Sequence, residues 1–334
     1  MQLDLVPIWT VILGVGVFMY VLLDGFDLGV GILFPFIRDE DARSLMMSSV
    51  APVWDGNETW LVLGGVVLMA AFPIAFAIII PALYFPILLM LLGLIFRGVA
   101  FEFRLKISEH RERWSVSFCA GSTVATFFQG VVLGMYVQGF AVTGQTYAGT
   151  TRDWIAPFPL ATGAGLLFGY AMLGATWLVM KTEGDLQKWA RLQATRALYG
   201  VLAFIAMVSL WTPLINRQVA ERWFSFPNIA WLSIVPAVTA AIAYVTWRAI
   251  KRGDDYVPFI GAMGLFAMCY LGLGISLFPY IVPYVLTLWD AAAAPSSQIF
   301  LLVGTLFLLP VIFMYTGWSY YVFRGKVRGD IAYH

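Results

Sequence analysis

Charge is scarce in this sequence. Of 334 residues only 12% are Asp, Glu, Lys or Arg, whereas 61% are hydrophobic. A soluble domain carries about 25% charged residues, so roughly half of the usual polar surface is missing, and the mean hydropathy of +0.83 agrees. Lipid must be the solvent for most of the surface. A net charge of only +1 gives no reason to expect nucleic acid or another polyanion as partner. Cysteine and histidine are nearly absent, at two residues each. Cys119 and Cys269 lie in apolar runs, form no CxxC pair and read as core residues. His110 falls in a polar connection and His334 is the last residue, so no membrane span offers a histidine to a haem. Met19, Met69, Met90 and Met135 do sit in apolar runs, where methionine ordinarily fills gaps. Phosphate-cradling glycine loops, nucleophile–base pairs and metal-spaced ligands are missing too, which excludes the common soluble enzyme classes.

What the sequence has is long apolar runs. A helix needs about 20 mostly apolar residues to cross the bilayer. Nine such runs are visible, at about 7–36, 53–72, 75–103, 115–140, 158–180, 196–216, 228–249, 257–281 and 297–323. The first and third are long enough to tilt or protrude, and Phe72-Pro73 marks a tight turn between the second and third. Met1 to Thr10 contains no Lys or Arg and no cleavage site follows, so the first run is expected to be a retained span rather than a signal peptide. Sixteen of the 20 Lys and Arg residues fall in the segments after odd-numbered spans, three (Arg152, Arg217, Arg222) after even-numbered ones, and Arg97 lies inside a span. The positive-inside rule then puts the N-terminus outside and the C-terminus in the cytoplasm. A faint echo between Gly14-Val15-Gly16 and Gly163-Ala164-Gly165 suggests two stacked units. The expected fold is therefore an all-α polytopic membrane protein: a single membrane domain with one four-helix bundle in 1–140, a second in 158–281, and a ninth helix at 297–323.

The few charges placed within spans are the candidate functional residues. Asp24 and Asp27 are three residues apart, hence on one helix face, near the basic end of the first span. Asp55 and Glu58 repeat that spacing at the start of the second, and Arg97 and Glu102 stand near the end of the third. The topology brings all six to the cytoplasmic face of the first bundle. Intramembrane carboxylates face a bundle interior and pair, yet one Arg cannot neutralise five of them. Some should hold protons or reach water, as a proton-conducting chain requires. The competing reading is a buried ion pair that fixes packing, with Asp55 and Glu58 as helix caps.

In order and spacing these residues resemble subunit II of the cytochrome bd-type quinol oxidases. The likeness is carried by Asp24-Gly25-Phe26-Asp27-Leu28-Gly29, by Ala51-Pro52-Val53-Trp54-Asp55-Gly56-Asn57, and by Phe96-Arg97 with an acid five residues on. Leu277-Phe278-Pro279, Thr287-Leu288-Trp289-Asp290-Ala291 and Tyr315-Thr316-Gly317-Trp318 extend it, so that it runs from about residue 15 to about 325. Glu58 and the short connection between the sixth and seventh spans are more similar to the compact, cyanide-insensitive branch. The resemblance implies a bacterial inner-membrane quinol:oxygen oxidoreductase that reduces O2 to water with cytoplasmic protons. Its haems and quinol-oxidising loop would lie in a partner, subunit I, and none would be bound by this chain. Asp27, Asp55 and Arg97 match positions associated with a proton path, and Trp60 matches one linked to oxygen access. A Trp near a helix end is otherwise an interfacial anchor. A quinone held as structural filler and small accessory subunits are compatible with the resemblance, and no residue marks either.

Two other classes fit the same features less well. A free-standing proton-coupled transporter would also use intramembrane acids, but predicts a midplane site built from broken, inverted helices. A purely structural assembly subunit would use the charges only to lock helices together.

Overall fold

The computed structural model describes residues 4–106 and 111–327; His110, Arg328 and His334 lie outside the described residues. The chain is mostly helical, and its helices are α1 Val6–Leu33, α2 Glu40–Val50, α3 Trp54–Ala71, α4 Pro73–Ala82, α5 Tyr84–Lys106, α6 Arg111–Gln138, α7 Pro157–Lys181, α8 Gly184–Ile215, α9 Arg217–Phe224, α10 Asn228–Leu232, α11 Ile234–Arg252, α12 Val257–Leu277 and α13 Pro295–Val322. Two short antiparallel hairpins interrupt the all-helical expectation: β1 Val142–Thr143 with β2 Thr146–Tyr147, and β3 Tyr280–Val282 with β4 Leu286–Thr287.

Eight helical segments among the described residues are long and apolar enough to cross a membrane. Each coincides with an expected run, and the second run coincides with α3. That helix has 18 residues, so Asp55, Asn57 and Glu58 in its first turns fall inside its one full-length stretch, which a longer helix would avoid. The third run departs from expectation. It is broken at Leu83 into a ten-residue α4 and the spanning α5. Pro86 explains the break, because its ring clashes with the carbonyl four residues earlier and it has no N–H to give. Pro236 breaks the seventh run between α10 and α11 in the same way. The longest helix is instead α8, which begins twelve residues before the expected start at 196. Leu186, Ala190 and Ala194 form a buried stripe along that extension, continued by Ala197 and Leu198, an amphipathic pattern that a search for purely apolar runs passes over.

α7 is the hub, packing on α1, α6, α8 and α12, while α1 also holds α3 and α6. The α1–α7 crossing is backbone on backbone. A Cβ on Gly174 would come within 2.5 Å of the Val30 amide nitrogen and 2.8 Å of Gly29 Cα. Only glycine permits that approach. By contrast α13 packs on α3, and Gln298 is its one buried residue.

The basic segments gather at one end of the molecule. Arg104 reaches Glu40 (2.7 Å), which also holds Arg43 (3.0 Å). Asp255 accepts from Arg191 (2.6 Å), Lys326 (2.7 Å) and Gln187 (2.9 Å). Both cysteines are free; Cys119 is half-buried, but Cys269 is exposed on α12 rather than in the core as expected.

Candidate functional site

Near the basic end of α1, the sequence places acids on the face where three helices meet. Asp24 and Asp27 are 1% and 2% exposed, and Arg97, brought in by α5, is 1% exposed. An arginine keeps its charge in such a place and must be held by acids. It is held by Asp24, with which it forms a hydrogen-bonded ion pair, and by Glu58 of α3 at 3.5 Å. Its guanidinium also lies 5.4 Å from the ring of Trp54, a cation–π contact. α5 and α6 approach backbone to backbone here: a Cβ on Gly121 of α6 would sit 2.7 Å from the backbone nitrogen of Arg97.

Asp27 takes a different partner. The Asn57 amide donates to Asp27 Oδ2 at 2.6 Å and to the Leu23 carbonyl at 3.2 Å, while its own oxygen accepts from the Tyr320 hydroxyl at 2.9 Å. One amide thus ties α1, α3 and α13 together. Several polar atoms remain buried without a hydrogen bond: Asp24 Oδ2, Asp27 Oδ1, Glu58 Oε1 and Arg97 Nε. Three carboxylates, one cation and spare lone pairs make a site able to take up, hold and release protons.

Of the six charges expected together, four are: Asp24, Asp27, Glu58 and Arg97. Asp55 is exposed at the start of α3, one turn from Glu58, and lies outside the buried cluster. Glu102 is not part of it. Five residues after Arg97 it points about 140° away around the helix, where it is exposed and pairs with Lys106 at 2.6 Å. Neither Asp55 nor Glu58 caps α3; the N-cap residue is Val53, with no side-chain cap. Trp60 is no interfacial anchor either. It is fully buried, tilted against Phe313 of α13 with ring centroids 5.0 Å apart. Asn57 and Tyr320 went unassigned in the sequence, although a polar amide among apolar residues of a span was a usable signal.

A second buried cation, Arg104, is 2% exposed and donates to Ser115 (2.9 Å), Met47 sulfur (3.5 Å) and Glu40. These bonds fasten α2 to α5 and α6. Among the described residues no group of three His, Cys, Asp or Glu side chains could hold a metal ion, and none of those residues is histidine.

Known proteins share this chain's sequence and fold over nearly its whole length. The family model described as cytochrome bd terminal oxidase subunit II matches residues 5–323. The chain is 31% identical to the cytochrome bd-I ubiquinol oxidase subunit 2 of Escherichia coli K12, covering 97% of this chain and 95% of that protein. It is 29% identical to the cytochrome bd ubiquinol oxidase subunit 2 of Bacillus subtilis 168, over 96% of each. A solved bd oxidase chain from Geobacillus thermodenitrificans shares the fold, with a TM-score of 0.74 at 17% identity, covering 94% of this chain and 98% of that one. With its run of spanning helices and a match of this extent, the chain belongs to the cytochrome bd terminal oxidase subunit II family.

Proposed function

We propose that this chain is the haem-free subunit of a cytochrome bd-type quinol:oxygen oxidoreductase in the bacterial inner membrane. It supports a haem-bearing subunit I and feeds cytoplasmic protons towards the reduction of O2 to water. The observation that carries the proton role is the cluster of Asp24, Asp27 and Glu58 around the single cation Arg97. In a dry site, three ionised carboxylates against one guanidinium would leave uncompensated charge, so such a cluster works by carrying protons. Asp55, exposed beside it, is the step to water. Trp60 and Phe313 would line an oxygen route between α3 and α13.

The same reading assigns α3 as a ninth span, with the N-terminus outside and the C-terminus cytoplasmic. It divides the spans into α1, α3, α5, α6 and α7, α8, α11, α12, with α13 alongside. The sixteen-to-three distribution of basic residues supports the orientation. The division is supported by a shared packing habit: Gly16 of α1 faces Leu63 and Gly64 of α3, and Gly165 of α7 faces Phe204 of α8.

The test is oxygen consumption by the purified complex carrying Asp27→Asn or Asp55→Asn. Each should assemble with full haem content and turn over more slowly, by on the order of tenfold or more. Wild-type turnover in both would leave the cluster a structural lock and remove the proton role.

A further inference from the structure

Asp24 engages Arg97 through one carboxylate oxygen, and the other, Oδ2, is buried without a partner. Two buried phenols border that carboxylate. Tyr20 stands four residues earlier, one turn along the same helix face. It is 4% exposed, and its hydroxyl faces the Asp24 carboxylate without a hydrogen bond of standard geometry. Tyr170 of α7 is fully buried and its ring covers Gly25, where a Cβ would meet the ring carbon Cε1 at 2.7 Å. Its hydroxyl also lacks a hydrogen-bond partner. Tyr20, Tyr170 and Asp24 lie within electrostatic reach of one another.

A phenyl ring would fill either space and leave no hydroxyl to satisfy, so the two oxygens need a reason beyond packing. Depth supplies one. At 1.5 Å per residue, Asp24 lies about 14 Å from the Leu33 end of α1 and Tyr20 about 20 Å. The carboxylates stop short of the middle of this 28-residue helix, and Tyr20 reaches it.

We propose that the Tyr20 hydroxyl, beyond Asp24, and the Tyr170 hydroxyl beside it form the inner end of the proton path; this rests on the proton-uptake reading above. Protonated Asp24 gives its proton to the Tyr20 oxygen as the Tyr20 O–H hydrogen passes to a water molecule on its inner side, which leaves as hydronium towards the oxygen being reduced. Tyr20 is left neutral and Asp24 a carboxylate, to be reprotonated from the Glu58 and Asp27 side. Only O–H bonds break and form, and no electron moves. Tyr170, over Gly25, flanks the Asp24 carboxylate at its own depth and offers a second hydroxyl with which Asp24 can exchange its proton.

The experiment compares the intact complex with Tyr20→Phe, Tyr170→Phe and Asp27→Asn, measuring haem content and oxygen turnover in H2O and D2O. Both phenylalanine variants keep the ring, so haem content should be unchanged. Turnover should fall on the order of tenfold, with a larger solvent isotope effect. Wild-type turnover and isotope effect in both tyrosine variants overturn the relay. If Asp27→Asn is slow in that same series, only the tyrosine step is lost; if it too is normal, the carboxylate path falls with it. Infrared difference spectra of the wild-type complex, with and without ring-deuterated tyrosine, supply a readout independent of assembly. A tyrosine band that responds to turnover is expected, and its absence also overturns the relay.

Discussion

At the scale of single residues, Arg97 is the charge on which the cluster depends. It is buried, permanently ionised and shared by Asp24 and Glu58. Removing one partner of a buried pair costs about 3–5 kcal/mol, because the survivor keeps its charge in a poor solvent. Arg97→Ala should therefore lower the yield of haem-containing complex in membranes more than Asp27→Asn, whose site keeps the Asn57 amide. Asp24→Asn should fall between them, since Arg97 retains Glu58. A stranded carboxylate can take up a proton and the guanidinium cannot lose one, so low growth pH should partly restore Arg97→Ala. Equal yields for the three variants at two pH values would show that Arg97 is no hub. Asp24, Asp27, Glu58 and Arg97 were legible because a charge inside an apolar run stands out. Asn57 carries no charge to mark it, and Tyr320 is remote in sequence. Glu102 is near Arg97 along the chain but about 140° away around the helix, and the angle decides contact.

At the scale of elements, the spans were readable from hydrophobic runs, and the breaks within them were not. Pro86 and Pro236 split helices that composition alone joins, and the polar, amphipathic start of α8 extends one that composition cuts short. The α1–α7 contact was also invisible, since the sequence names many glycines without saying which two touch. Gly29 and Gly174 touch at a distance no side chain allows. The atoms that a Cβ on Gly174 would meet first are all backbone, so no rotamer change relieves the clash. Gly174→Val should then cost well above the roughly 1–3 kcal/mol of ordinary overpacking. Gly65→Val, where no atom lies within 4 Å of an added Cβ, should be tolerated in this chain. Thermal unfolding of the purified complex followed by tryptophan fluorescence would compare them. A Gly174→Val complex with an unchanged midpoint would mean that the crossing can open without penalty.

At the scale of the molecule, α13 is held chiefly at its ends. Near its start the Ala293 amide donates to the Ala71 carbonyl (2.9 Å). At its finish Ser319 and Tyr320 bond to Pro52 and Asn57, and Lys181 donates to the Phe323 carbonyl (2.6 Å). The following residues are clamped to the other half of the chain. Lys326 binds Asp255 and the Thr182 carbonyl (3.0 Å), and the Val327 amide donates to the Lys181 carbonyl (2.8 Å). Burial raises the proton affinity of Asp255. The hydrogen bond and charge of Lys326, the charge of Arg191 and the Gln187 amide together outweigh it and hold the carboxyl below the ordinary Asp range. A group whose affinity for protons is lower in the folded state stabilises it above the unfolded pKa, about 3.9 for Asp, and that contribution is lost as pH falls through the folded value. The clamp should therefore be insensitive to pH between 5 and 8 and loosen only below about pH 4. Partly exposed pairs contribute up to about 1 kcal/mol each, so Asp255→Asn should raise amide hydrogen exchange in residues 323–327 by roughly fivefold at neutral pH. High salt should loosen the wild-type tail in the same direction, by screening. Exchange in the wild-type tail that rises between pH 8 and 6 would mean that a group other than Asp255 controls the clamp. Exchange unchanged in Asp255→Asn would mean that the backbone bonds of Val327 and Lys181 hold the tail without it.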